Sequence, residues 1–287
     1  MRKRMWMGTR AREMWVPMPR IDPGYSRPGW SGSTALLNGG TVLRQSKAAH
    51  NLYEFEWNKG SWGDIMPIRD MADGVWDTHD GVNLIYFVEP TSMRRNVLPQ
   101  GWATPALGAE DGKPLLRAYR PTAQLEAAHD FALPARSAVW AAAQADPNPR
   151  RVYVPIPPDH VAHFGWVGTG NGQVEVYDVG PDGTTGAVAR PDALDGAGGV
   201  FTNLALARTS SRVGVEVGLR GTAAVTVRAM TLRILRTGES PSVGKPWAGG
   251  MGHSGCQFVE KTGLTPNSVP LDLIAATATL EETGAWL

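Results

Sequence analysis

Between Ser211 and Leu235 the chain alternates apolar and polar side chains almost without a break, a pattern that few folds accommodate. Val213, Val215, Val217 and Leu219 fall on one side of an extended backbone, and Arg212, Gly214, Glu216 and Gly218 on the other. Successive strand residues point to opposite faces, so this pattern predicts a strand with one face in a core and one in water. Arg220-Gly221 predicts a turn, after which Val225 and Val227 resume the alternation. Beyond Arg228 the phase slips by one residue, and Met230, Leu232 and Ile234 become the apolar set. An extra residue in one strand of a pair, a β-bulge, produces such a slip. The predicted fold class is all-β, a sandwich or barrel, and a scaffold of that class carries no particular chemistry by itself.

The rest of the chain agrees with that class. Its 34 glycines, 22 prolines and 19% charged residues suit short strands joined by tight turns. In the N-terminal third, Asn38-Gly39-Gly40 between Ser33–Leu37 and Thr41–Arg44 signals a hairpin, because these residues tolerate positive φ. Leu52–Trp57 reads as a strand with Tyr53, Phe55 and Trp57 on one face and Glu54 and Glu56 on the other. Lys59–Asp80 reads as a long glycine- and aspartate-rich connection, Val82–Val88 as a strand, and Pro90 to Pro121 as a turn-rich exit into a second domain. The helical candidates lie between Ala123 and Ala145, where alanine is dense and Pro134 interrupts. From Arg151 strands return at short spacing, over Val152–Ile156, Val161–Val167, Val174–Val179 and Val200–Ala207, as in a sandwich or jelly roll. The runs Asp272–Ala276 and Ala278–Glu281 are too short for a core of their own and are expected to pack on the N-terminal strands.

Charge and cysteine content narrow the function classes. The 28 basic and 27 acidic side chains nearly cancel, so no global field favours nucleic acid. The single cysteine, Cys256, excludes an internal disulfide framework and fits a reducing compartment. No stretch approaches the roughly 20 apolar residues needed to span a bilayer, and Met5-Trp6-Met7 is too short for a signal core, so a soluble protein with no membrane partner is expected. The basic start, with Arg2, Lys3, Arg4, Arg10 and Arg12, reads as an irregular or extended arm that orders on a partner, with a short strand near Met14–Val16. Eleven tryptophans favour association or recognition, because a buried indole still needs a partner for its N–H.

Several constellations invite a catalytic or metal reading. Gly252-His253-Ser254-Gly255 resembles the serine loop of trypsin-like proteases, but histidine replaces that family's aspartate and Cys256 its final glycine. The same cysteine breaks the Gly-x-Ser-x-Gly elbow of α/β-hydrolases, which leaves a glycine-rich turn as the reading of choice. Asp77-Thr78-His79-Asp80 offers carboxylates and an imidazole to one cation, yet also suits a polar turn. His160 and His163, after Asp159, fall on opposite faces of a strand and converge only on a loop or helical turn. Gly168 to Gly172 has no following lysine or helix start, so it reads as a hairpin and not a phosphate loop. No catalytic residue, metal or cofactor is assigned from these patterns.

Three stretches together resemble the distal tail proteins of long-tailed (siphovirus-type) phages, the minor tail proteins of phages of actinobacteria. They are Asn51-Leu52-Tyr53-Glu54-Phe55-Glu56-Trp57, then Asn96 to Pro105 (NVLPQGWATP), then Gly252 to Phe258 continuing through Leu271-Asp272-Leu273 to Gly284-Ala285-Trp286. Their order and spacing across most of the chain carry the resemblance. It implies a β-rich belt domain made of residues 1–103 and 246–287, which closes into a hexameric ring, and an inserted galectin-like or carbohydrate-module-like β-sandwich at 104–245. It further implies a virion protein at the distal end of the tail, assembled in the host cytoplasm. The implied partners are its own copies, the tail tube protein, the tape measure protein, the tip hub and other minor tail proteins of the baseplate.

On that reading Tyr53, Phe55, Trp57, Trp102 and Trp286 belong to the belt core or to the ring interface. The alternative is a carbohydrate-binding host-recognition module, with Trp140 and Trp166 stacked on cell-wall polysaccharide. A hydrolase using Asp77, His79 and Asp80, or His253 and Ser254, ranks last, because it requires those groups to meet in a pocket.

Overall fold

The structure, a computed structural model, describes residues 4–22, 31–35, 41–45, 52–76, 83–103, 109–110, 113–114, 124–126, 131–133, 138–140, 151–169, 174–188, 204–219, 225–240, 250, 252–253, 255–259, 263–268 and 273–282. Its strands form several antiparallel sheets, and the chain is all-β in class with three short helices among the described residues.

One body draws on both ends of the chain. β1 (Arg4–Gly8) pairs with β2 (Glu13–Pro17) on one side and β7 (Tyr86–Val88) on the other. Reciprocal backbone hydrogen bonds between Ile85 and Cys256, 2.8 and 2.9 Å long, lead from β7 to β20 (Cys256–Phe258). β20 and β21 (Gly263–Ser268) share one edge of β22 (Leu273–Glu282), β6 (Leu52–Ser61) takes the other, and β3 (Arg20–Asp22) pairs with β6. The path β2-β1-β7-β20-β22-β6-β3 therefore begins and ends on strands that only Met18 and Pro19 separate in sequence. A sheet whose two edges are consecutive in the chain has to curl back on itself, and the Trp57 indole ties that closure by donating to the Pro17 carbonyl at 2.8 Å. Met5, Met7, Val16, Phe55, Trp57, Ile85, Phe87, Ile274 and Leu280 fill the interior. α1 (Trp62–Ala72) adds Ile65, Ile68 and Met71 to the same core.

The second body is a two-sheet sandwich. One sheet runs β12 (Ala138–Trp140), β19 (Val225–Arg236), β14 (His160–Thr169), β17 (Leu204–Ala207). The other runs β13 (Arg151–Pro155), β18 (Gly214–Leu219), β15 (Val174–Val179), β16 (Thr185–Val188). Val152, Val154, Phe164, Val176, Val215, Val217, Met230, Leu232 and Ile234 share its core, at the alternate positions the sequence pattern predicts. The phase slip has its expected cause: Ala229 lies opposite Val167 and Val227 opposite Gly168, which leaves Arg228 as the extra residue of a bulge. Separate hairpins are formed by β4 (Ser31–Ala35) with β5 (Thr41–Gln45), β8 (Ala109–Glu110) with β9 (Lys113–Pro114), and β10 (Gln124–Glu126) with β11 (Phe131–Leu133).

Four expectations need correction. The expected connection at 59–80 contains α1, capped by Ser61 and amphipathic through Ile65, Ile68 and Met71. The expected helical stretch at 123–145 contains β10, β11 and β12 instead, and pairing of β12 with β19 overrides the helix propensity of its alanines. The polar face of β18 is not in water, since Glu216 is only 5% exposed. Its cover is the basic arm, which is an ordered hairpin and not an irregular tail over Arg4–Pro17.

Candidate functional site

The chemistry of the molecule concentrates where the two bodies meet. The sheet β2-β1-β7 is a wall with both faces covered. Met5, Met7, Met14, Val16, Ile85 and Phe87 point into the curled sheet, while Trp6, Trp15, Leu84, Tyr86 and Val88 pack with residues of the sandwich. This follows from strand parity: alternate side chains leave opposite faces, and here each face meets its own core. Trp6 and Trp15 lie directly across the hairpin, with ring centroids 5.1 Å apart, and the rings of Tyr86 and Tyr153 meet edge to face at 4.7 Å.

Glu13 sits in the middle of this seam with a side chain only 3% exposed. Its Oε1 accepts from the Tyr153 hydroxyl at 2.6 Å, and its Oε2 accepts from the Trp6 indole N–H at 2.9 Å. Arg208 Nη1 stands 3.8 Å from Oε2, but that nitrogen also donates to the Ile156 carbonyl and to the Val213 carbonyl at 3.3 Å. Burial pushes the Glu13 carboxyl up from 4.5 to about 7, against the opposing pull of the Tyr153 and Trp6 donors and the Arg208 charge. The Tyr153 phenol is also raised well above its ordinary value, first by burial and then by the Glu13 charge.

A second knot of charge lies beside it. Arg10, in the turn between β1 and β2, pairs with Glu216 of β18 at 2.9 Å and donates to Thr185 of β16 at 3.2 Å. Glu216 also meets Arg151 at 3.5 Å and accepts from the Thr185 hydroxyl at 2.7 Å. Arg10 lies over the Tyr153 ring and Arg151 over the Tyr177 ring, 5.2 and 4.0 Å from the centroids.

At the other end of the seam the chain crosses between the bodies. α2 (Pro90–Arg95) and α3 (Gln100–Ala103) flank Asn96, whose side chain takes the edge of β19 above β12. Its Nδ2 donates to the Met230 carbonyl at 3.0 Å and its Oδ1 accepts from the Leu232 N–H at 3.1 Å, while Val97 N–H bonds the Leu232 carbonyl at 2.8 Å. The returning chain touches the same place, where Gly252 N–H donates to the Leu98 carbonyl at 3.1 Å. The next residue, His253, stacks on Phe87 at 4.2 Å, shares a 2.7 Å hydrogen bond between Nδ1 and the Tyr53 hydroxyl, and has Nε2 3.8 Å from Glu89. The three stretches singled out in the sequence thus meet at residues 53, 98 and 252–253.

The other candidates are dispersed. Phe55 and Trp57 lie in the curled-sheet core at 1% and 3% exposure, with Tyr53 half-buried at its margin, and Trp102 is buried against the sandwich. Trp140 lies on β12 opposite Val225 and Trp166 on β14 opposite Met230, with their side chains outside the described residues. Trp286, Asp77, His79, Asp80 and Ser254 also lie outside the described residues, as does the expected 103/104 boundary on its C-terminal side. His163 is buried while His160 sits beside Trp15, on the opposite face of β14. Among the described residues no group of three or more His, Cys, Asp or Glu converges to hold a metal, and no helix is long and apolar enough to cross a membrane. Glu13, Tyr153 and Asn96 were not singled out as site residues by the sequence reading. The one available signal was a carboxylate set between Arg12 and Met14-Trp15 in an otherwise basic arm.

Neither a protein-family model nor a curated protein matches the chain. Among solved structures, one neighbour is the infectious bursal disease virus VP2 subviral particle, 11% identical over 98% of this chain and 79% of that one, with a TM-score of 0.20. A likeness of that size carries no argument about this chain.

Proposed function

We propose that the chain is a structural virion protein, a subunit of a hexameric distal tail ring that joins the tail tube of a long-tailed phage to the tip machinery, without catalysis of its own. The observation that carries this reading is the pairing of β22 with β6, which unites the two ends of the chain in one curled sheet while strands β12 to β19 build a separate sandwich. That layout supports a ring-forming body (residues 1–103 and 246–287) and a module (104–245) held on it. The seam supports the same reading, because its polar side chains bridge the two bodies, as suits an architectural joint.

The full chain, concentrated and examined by mass photometry and negative-stain imaging, tests the proposal. It predicts annular particles of about 185 kDa, six times the 30.9 kDa chain. A strictly monomeric species at high concentration, together with absence of the chain from purified particles, would overturn it.

A further inference from the structure

We propose that the seam is a proton-sensitive joint: Glu13 takes up a proton when the β1–β2 hairpin docks on the sandwich and releases it when the hairpin opens, so the joint tightens on acidification. The inference concerns this chain alone and holds whatever the chain assembles into.

The geometry sets the argument. Glu13 lies on the sandwich-facing side of the wall and is sealed there by groups from several elements: Trp6 of β1, Tyr153 of β13 and Arg208 after β17. The other titratable or charged groups around the hairpin are committed elsewhere. Arg10 pairs with Glu216, which also holds Arg151. Tyr86 of β7 packs on Tyr153, His160 of β14 packs on Trp15, and Glu175 of β15 accepts from Tyr177. Arg208 is the cation nearest the carboxylate, yet at 3.8 Å it makes an ion pair divided with two backbone carbonyls. The buried charge is therefore incompletely compensated, and a carboxyl so placed favours its neutral form. The site can hold that form once the Tyr153 hydroxyl turns from donor to acceptor: a protonated Oε1 then donates to the Tyr153 oxygen across the same 2.6 Å, and Oε2 still accepts from Trp6.

The sign follows from linkage. In the docked state the carboxyl titrates at about 7, and a released hairpin returns it to the ordinary 4.5. Between those values the docked form binds more protons, so docking weakens as the pH rises. The contribution is complete below about 4.5 and is gone above about 7. The largest change in the opening equilibrium that this span allows is roughly 300-fold.

Hydrogen exchange of the full chain at pH 5.5 and 8.5, corrected for the intrinsic pH dependence of amide exchange, reads the opening directly. Residues 4–17 are expected to lose protection at the higher pH, by a factor of about ten to 30, while β22 does not change. Glu13→Gln keeps the shape and removes the titration, so its protection of residues 4–17 should not vary over this range. A wild-type seam insensitive to pH, or a Glu13→Gln seam that responds like wild type, would overturn the inference.

Discussion

Gly252 shows how a single residue fixes the crossing between the two bodies. A Cβ built there would stand 1.6 Å from the Val97 carbonyl oxygen, and that oxygen belongs to backbone that cannot swing aside while Val97 and Asn96 are bonded to β19. Gly252→Ala should therefore destabilise the fold by about 3 kcal/mol or more, read as a lowered urea midpoint with circular dichroism. A change within experimental error would mean that the outgoing and returning chains are not pinned together at this point. Cys256 makes a second residue-scale case. It is fully buried on β20, and burial, with the Glu282 charge across the strand pair, holds its thiol well above the ordinary range. The native protein should resist a thiol reagent such as dithionitrobenzoate at pH 8, and denaturation should release one reactive thiol. Rapid labelling of the folded chain would show the β7–β20 junction to be open.

At the scale of elements, α1 carries the sharpest test. Ser61 accepts from the Asp64 N–H at 3.3 Å and donates to the Asp64 carboxylate at 2.9 Å, so Ser61→Ala should cost about 1 kcal/mol in urea unfolding. A neutral result would mean that tertiary packing of Ile65, Ile68 and Met71 alone sets the start of the helix. The sequence carries signals of this helix in Ser61-x-x-Asp64 and in apolar residues every third position, but Gly63 and Pro67 argue against one, and the stretch reads as a connection. The period-two runs were read well, because alternate burial leaves a mark that propensity cannot blur: β6, β13, β14, β15, β18 and β19 all overlap predicted strands, and the Arg228 slip is a bulge. The N-terminal hairpin was read only around Met14–Val16, since Met5, Trp6 and Met7 of β1 are apolar without alternation, as in a strand covered on both faces. The seam was not legible for a related reason. A buried Glu216 or Glu13 has the same letter as an exposed one, and only the covering hairpin, distant in sequence, distinguishes them.

For the whole molecule, the decisive relation is between the chain termini. Strands β20 and β21 pair with β22, β22 pairs with β6, and none of the three joins the sandwich sheets, so the C-terminal segment completes the body that the N-terminus begins. The sandwich is then fastened on two sides, through Glu13 and Arg10 at the hairpin and through Asn96, Leu98 and Gly252 at the crossing. Two separated attachments resist rotation about either one, which suits a module carried in fixed orientation around a ring. Position and symmetry in an assembled particle define the proposed role, so a cryo-electron microscopy map of particles that contain this chain is the most direct measurement. The account predicts six copies in a ring at the distal end of the tail tube, with the β1–β7 and β20–β22 body lining the circle and the sandwich outside it. A particle without the chain, or one in which it sits as a lone subunit away from the tube axis, would contradict it.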